Sequence, residues 1–252
     1  MEVCDMDYFQ SDGLRLAYRV VGEGEPIVLV HGFASTHEVN WVTTGWSRAL
    51  VDAGRRVIMA DGRGHGASEK SYDEADYTLE AMAGDVVALM DHLGEPGADL
   101  MGYSMGGMVS LVAAGLWPDR FDRVIAAGVG ERLFDKNKGA SDVVEALLAN
   151  DGAIVGGRAA QMFRLFADQN KQDRNALAAC FAAVRTDFPD ELLGRIARPV
   201  LIVAGETDDA AGAAGPLAAR IPQGAAFTVP KRDHMRTVGD KVYKEAVLKF
   251  LG

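Results

Sequence analysis

The chain has 252 residues, with 26 Lys and Arg against 36 Asp and Glu and a formal net charge of −10. That length fits one large α/β domain or two small ones and buries a core without disulfide or metal staples. A hydrophobic fraction of 48% and a charged fraction of 25% exclude wholesale disorder, and the acidic balance argues against nucleic-acid and anionic-membrane partners, which need a basic surface. The acidic start, Met1 to Asp5, lacks the apolar core of a signal peptide. The longest nearly apolar run, 105–117, is too short to span a bilayer, so no membrane partner is expected. Cys4 and Cys180 lie far apart and form no metal-ligand spacing, which suggests a reduced, cytoplasmic chain. The compositional outlier is glycine, at 29 residues.

Residues 6–11 and 14–21 flank Asp12-Gly13, a hairpin signature, so the sheet should open antiparallel. Short apolar runs follow at 26–30, 57–60, 98–103, 124–127 and 199–204. Runs that are apolar throughout, without alternation, fit parallel strands covered on both faces. Helix-like stretches lie at 45–53, 78–93, 104–117 and 216–221, and a last helix at 240–251 repeats Val242, Ala246, Val247 and Phe250 at helical spacing. This alternation predicts βαβ units and a doubly wound sheet. It stops between 131 and 189, where the pattern is helical at 141–149, 158–168 and 174–186. That segment reads as a helical cap inserted between core residues 1–130 and 190–252. Long excursions in compact domains are usually functional, which makes it a candidate lid, with a peripheral decoration as the plainer alternative.

Gly102-Tyr103-Ser104-Met105-Gly106 stands where a predicted buried strand meets a long apolar helix. A serine in so sharp a turn sits in strained backbone, and small residues two places to either side let the chain close around it. Its hydroxyl then stands exposed at the carboxyl edge of the sheet, near the N-terminal dipole of a helix. A serine hydroxyl is a weak nucleophile and needs a base. Of the five histidines, His31, His37, His65, His92 and His234, only His234 follows Ser104, on a loop between the strand-like run 226–229 and the last helix.

The base in turn needs a carboxylate to hold its tautomer. Gly205-Glu206-Thr207-Asp208-Asp209 follows the 199–204 strand, and either aspartate can serve, with Glu131 a more distant option. The developing oxyanion needs preorganised donors. Candidates are the backbone N–H of Met105, directly after the nucleophile, and that of Phe33 in the loop His31-Gly32-Phe33-Ala34. His31 reads as a structural hydrogen-bonder. Asp61-Gly62-Arg63-Gly64-His65-Gly66-Ala67-Ser68 has three alternating glycines but no phosphate-loop spacing. It reads as a structural turn beside the site, with His65 not catalytic.

Taken in order, these segments resemble the α/β-hydrolase superfamily, over most of the chain from about Leu14 to Leu251. The resemblance implies a mostly parallel eight-stranded sheet with helices on both faces and the helical cap inserted after strand 6. In the family the acid usually stands three residues after the glycine that ends its strand, which selects Asp208 over Asp209. The implied chemistry is acyl transfer to water by Ser104, His234 and Asp208, with the Phe33 and Met105 amides holding the oxyanion. It implies a small-molecule acyl substrate, no metal and no organic cofactor. Ser104 at the nucleophile position sets aside haloalkane dehalogenases and epoxide hydrolases, which carry aspartate there, and dienelactone-type hydrolases, which carry cysteine.

Within the serine branch a carboxylesterase is the first expectation. A carbon–carbon bond hydrolase, a lactonase or a thioesterase would use the same triad, and some α/β-hydrolase folds are non-catalytic ligand-binding proteins. Phe134, Met162, Phe163, Phe166, Phe181 and Phe188 supply the cap with apolar bulk. They either line an acyl pocket or pack the cap onto the core, and the helical spacing of Met162, Phe163, Leu165 and Phe166 favours packing.

Overall fold

The computed structural model describes residues 6–135, 140–184 and 188–252. Cys4, Arg185 and Thr186 lie outside them. Among the described residues eight strands form one sheet: β1 (Asp7–Ser11), β2 (Leu14–Val21), β3 (Glu25–Val30), β4 (Arg55–Ala60), β5 (Ala98–Tyr103), β6 (Phe121–Ala127), β7 (Val200–Gly205) and β8 (Gly224–Val229). Their order is β1-β2-β4-β3-β5-β6-β7-β8. The pairs β1–β2 and β2–β4 are antiparallel, and every other pair is parallel. The opening hairpin turns through Asp12 and Gly13, both at positive φ (49° and 80°), as its two-residue loop requires.

Five helices flank the sheet's first six strands and its end: α1 (Trp46–Asp52), α2 (Leu79–Leu93), α3 (Met105–Leu116), α7 (Ala214–Ala218) and α9 (Lys241–Leu251). Between β6 and β7 come α4 (Ala140–Leu148), α5 (Arg158–Gln169) and α6 (Arg174–Ala183), and the short α8 (His234–Thr237) follows β8. Start signals are chemical: Thr78, Asp173 and Asp240 each accept backbone N–H groups at the first turn of α2, α6 and α9. Among the described residues no helix is long and apolar enough to cross a membrane.

The unbroken apolar strands are explained by burial on both faces. Val28, Leu100, Val124 and Ile202 point to the side of α2 and α3. Ile27, Met101, Ile125 and Val203 point to the side of α1 and α9, where Trp41, Trp46 and Tyr243 fill the core. The elements differ from the sequence expectation in a few places. β4 starts two residues early, at Arg55, because that arginine is buried in an ion pair with Asp99 at 2.8 Å, a partner no local pattern reveals. α7 lies at Ala214–Ala218, two residues before the expected 216–221. Pro216 falls inside its first turn, where a missing N–H costs nothing. The helix expected over 174–186 ends at Ala183. A π-helical turn (Glu38–Val42) and a 3-10 turn (Glu74–Tyr77) had no sequence forecast.

Candidate active site

The carboxyl ends of β3, β5, β7 and β8 converge on Ser104. Ser104 has φ +55° and ψ −117°, the strained elbow the motif demands, a conformation that costs on the order of 1–3 kcal/mol for a non-glycine residue. The turn is held by Ser104 N–H to the Ala127 carbonyl at 2.7 Å and by Met108 N–H to the Ser104 carbonyl at 3.1 Å. The two flanking glycines are required by space. A Cβ on Gly102 would drive into the Gly106 carbonyl and one on Gly106 into the Val30 carbonyl. Met105 opens α3, and first-turn N–H groups have no partner within their own helix, so the Met105 N–H stands at a positive helix end without an intrahelical acceptor.

His234 Nε2 lies 3.0 Å from Ser104 Oγ. On the other side of the ring, Nδ1 lies 2.9 Å from Asp208 Oδ2 and 3.1 Å from Oδ1. A carboxylate only accepts, so Nδ1 carries the proton and Nε2 is left as the acceptor that faces the serine. Asp208 is buried at 3% exposure, and its Oδ1 also takes the N–H groups of Ala210 and Ala211 at 3.0 and 2.9 Å. Those two bonds turn its side chain inward, while Asp209 is exposed. Glu131 is exposed as well, and its carboxylate meets the Ala213 N–H at 3.3 Å, not His234.

The loop after β3 is pinned from several sides. Gly32 N–H donates to Asn40 Oδ1 at 3.0 Å, and Ser35 N–H closes a turn onto the Gly32 carbonyl at 3.2 Å, with Ala34 at φ +57°. Phe33 occupies the second position of that turn. His31 is structural, its Nδ1 at 2.8 Å from the Gly32 carbonyl and its Nε2 accepting the Gly62 N–H at 2.9 Å.

Asp61 ties this loop to the next one. Its Oδ1 accepts the backbone N–H and Nδ1 of His37, both at 2.8 Å, and its Oδ2 accepts the Ala67 N–H at 2.8 Å. Burial pushes this carboxyl up, but the His37 hydrogen bond and the neighbouring histidines outweigh it and hold the pKa at about 2. His65 is fully buried, its Nδ1 on the Arg63 carbonyl at 2.9 Å. Desolvation holds its pKa down at about 3, so it stays neutral. Asn40 and the His37–Asp61 pair escaped the sequence reading. The Asp61-to-Ser68 glycine cluster was the one visible signal for the pair.

The segment between β6 and β7 reaches the site through α5, α6 and their connecting turn. Phe163 and Phe181 stack edge-on or tilted against Phe33 and each other, with ring centroids 5.6, 5.0 and 5.6 Å apart. Cys180 Sγ touches Met105 Sδ at 3.8 Å. The α5–α6 turn docks on the core loops: Gln172 Oε1 accepts the Gly66 N–H at 2.9 Å, and Asn170 Nδ2 donates to the Ala34 carbonyl at 3.4 Å. The other candidate pocket residues go elsewhere. Phe134 lies under the Arg220 guanidinium at 3.8 Å and beside Phe188 at 6.5 Å. Met162 is 44% exposed, and Phe166 is half-buried against the core. The structure thus groups Phe33, Met105 and Phe163 near the nucleophile and leaves Phe134 and Met162 outside that group.

A sheet of this order, with a serine elbow, a histidine and a buried aspartate at its carboxyl edge, defines an α/β-hydrolase architecture. Residues 25–173 match the alpha/beta hydrolase fold family, more than half of the chain, and the chain belongs to that family. Among curated relatives, the dihydrolipoyllysine-residue acetyltransferase component of the acetoin cleaving system of Pseudomonas putida is 37% identical over 71% of this chain and 46% of its own. A 2-hydroxy-6-oxo-6-phenylhexa-2,4-dienoate hydrolase of Comamonas testosteroni is 31% identical over 70% of this chain and 56% of its own. The chain therefore spans about half the length of these curated relatives. The crystal structure of a hydrolase from Pseudomonas aeruginosa PA01 superposes with a TM-score of 0.80 and 28% identity over the whole of both chains.

Proposed function

We propose that the chain is a serine hydrolase that cleaves a carboxylic ester or a related acyl substrate through an acyl-enzyme. The observation that carries this reading is the relay Asp208–His234–Ser104, with 2.9 Å and 3.0 Å between its successive groups. Ser104 Oγ attacks the acyl carbon while His234 Nε2 takes its proton. The resulting oxyanion accepts hydrogen bonds from the Phe33 and Met105 amides. Collapse breaks the bond to the leaving group, which departs with the proton from His234. Water then attacks the acyl-enzyme, again giving a proton to His234, and the carboxylic acid leaves with Ser104 restored. Segment 131–189 serves as the lid through α4, α5 and α6, and its Phe163 and Phe181 form the apolar wall against Phe33.

Two observations bear on the substrate. Arg164 and Arg174 of the lid are engaged with Asp151, Asp168 and nearby carbonyls, while the wall against Phe33 is aromatic. A carboxylate set against such an aromatic wall needs a cation brought to it, so an apolar acyl group fits that wall best and an ester is the first reading. The similarity to the Comamonas dienoate hydrolase favours carbon–carbon cleavage as a second reading. A fluorophosphonate probe tests the chemistry. The wild-type protein should be labelled and Ser104→Ala should not, and a folded wild type that stays unlabelled refutes the reading. Comparing short p-nitrophenyl esters with vinylogous diketones and lactones then separates the substrate classes.

A further inference from the structure

Tyr103 ends β5 directly before Ser104, yet its side chain bonds to a different element. The ring is buried on the face of the sheet that carries α1 and α9. Its hydroxyl donates to the main-chain carbonyl of His234, the residue that opens α8. The ring centroid lies 5.5 Å from the imidazole, tilted at 45°. Thr237, at the other end of α8, donates its own hydroxyl to the Asp233 carbonyl at 2.8 Å and stands beside the same phenol. Burial and the nearby Asp208 charge push the phenol well above its usual range, so it remains a donor. Phenylalanine would fill the same volume in the strand, and the hydroxyl is what reaches α8.

The contact matters because of how His234 is otherwise held. Asp208 holds the Nδ1 side of the ring with both oxygens, at 3.1 and 2.9 Å, but contacts at one atom leave the ring free to pivot about it. The backbone carbonyl is the second fixed point, and Tyr103 supplies it from the strand that also carries the nucleophile. Nucleophile and base are thereby referenced to one rigid residue pair, Tyr103-Ser104.

We propose that Tyr103 is a positioning residue for the base, its hydroxyl anchoring the His234 carbonyl so that Nε2 stays within 3.0 Å of Ser104 Oγ. This rests on the serine-hydrolase reading above. It adds a residue that touches neither substrate nor reacting atoms.

The test uses Tyr103→Phe and, as a milder perturbation of α8 beside the same hydroxyl, Thr237→Val. Active sites are titrated with a fluorophosphonate so that every rate is expressed per competent site. A misplacement of the order of 1 Å costs up to about 100-fold in rate. The expectation for Tyr103→Phe is therefore a kcat per site and a phosphonylation rate both lower by about 10- to 100-fold, with KM within about twofold, the signature of an interaction realised in the transition state. Thr237→Val should move the same quantities in the same direction by less. If Tyr103→Phe fails to fold, Thr237→Val is read against Thr237→Ser, which keeps the hydroxyl, and equal rates per site in the two overturn the proposal. A Tyr103→Phe protein with fewer titratable sites but wild-type rates per site has lost stability only, and that outcome overturns the positioning role while leaving the serine-hydrolase reading intact. Wild-type protein that resists the probe removes both.

Discussion

Asp208→Asn is the sharpest test of the relay, because the structure says how the substitution should act. In the Asp208 carboxylate Oδ1 takes the Ala210 and Ala211 N–H groups and lies 3.1 Å from His234 Nδ1, while Oδ2 is the nearer acceptor for Nδ1 at 2.9 Å. Asparagine has one acceptor oxygen and one amide group. With the oxygen on the two backbone donors, the NH2 faces Nδ1, which must become an acceptor. The ring proton then moves to Nε2, and the atom that should take the Ser104 proton already holds one. A wrong-tautomer lesion of this kind lowers kcat by about 10⁴, equivalent to about 5.4 kcal/mol. Asp209 is exposed and touches none of these groups, so Asp209→Asn should stay within about twofold of wild type, as surface changes commonly do. Steady-state hydrolysis of a short p-nitrophenyl ester, normalised to folded protein, gives both numbers. The Asp208–His234–Ser104 relay is refuted if Asp208→Asn retains more than about a tenth of wild-type kcat, or if the larger loss belongs to Asp209→Asn.

Two further outcomes follow from groups around the site. His65 has a folded-state pKa of about 3 against about 6.5 unfolded. Below about pH 6.5 the unfolded chain binds the proton first, so this contribution is complete above that pH and is lost as the pH falls toward 3. The sign and size give a loss of about 2 kcal/mol of unfolding free energy between about pH 7 and about pH 5 from His65 alone. His31, also pushed down by burial, acts in the same direction. Urea denaturation across that range should show the slope, and His65→Asn should flatten it. Gly128 is at φ +66°, and a Cβ there would stand 3.1 Å from Ser104 N and Tyr103 Cζ and 3.2 Å from His234 Cε1. Gly128→Ala should therefore lower kcat/KM by at least about tenfold and stability by about 1–2 kcal/mol. A stable and fully active Gly128→Ala would show that the elbow and the base tolerate displacement.

Much of this was legible in local sequence because its causes are local. The elbow needs glycine at 102 whatever the rest of the chain does, since the Gly106 carbonyl four residues on occupies the space of a Cβ. The parallel strands are apolar throughout because both faces are covered, and that pattern survives in one dimension. The order serine, acid, histidine followed from which loops sit at carboxyl strand ends. Residues alone left Asp208 and Asp209 equal, and only the family register separated them. The structure adds the physical reason, that Asp208 caps two N–H groups of its own turn and so faces inward.

What tertiary structure alone decided is the set of contacts between segments distant in the chain. Tyr103 and His234 are 131 residues apart, and nothing at position 103 marks a tyrosine that anchors a loop from one that merely fills a core. The same holds for Asp61 with His37, for Gln172 on Gly66, and for the Phe163–Phe181 pair over Phe33. Phe134 and Met162 are as apolar as Phe163, yet they lie under Arg220 and in solvent. Composition states that a side chain is apolar, and only packing states which apolar surface it meets. The glycine excess divides along the same line. Gly102 is dictated by a local turn, whereas Gly106 is dictated by the Val30 carbonyl and Gly128 by Ser104, Tyr103 and His234, which the fold brings to them.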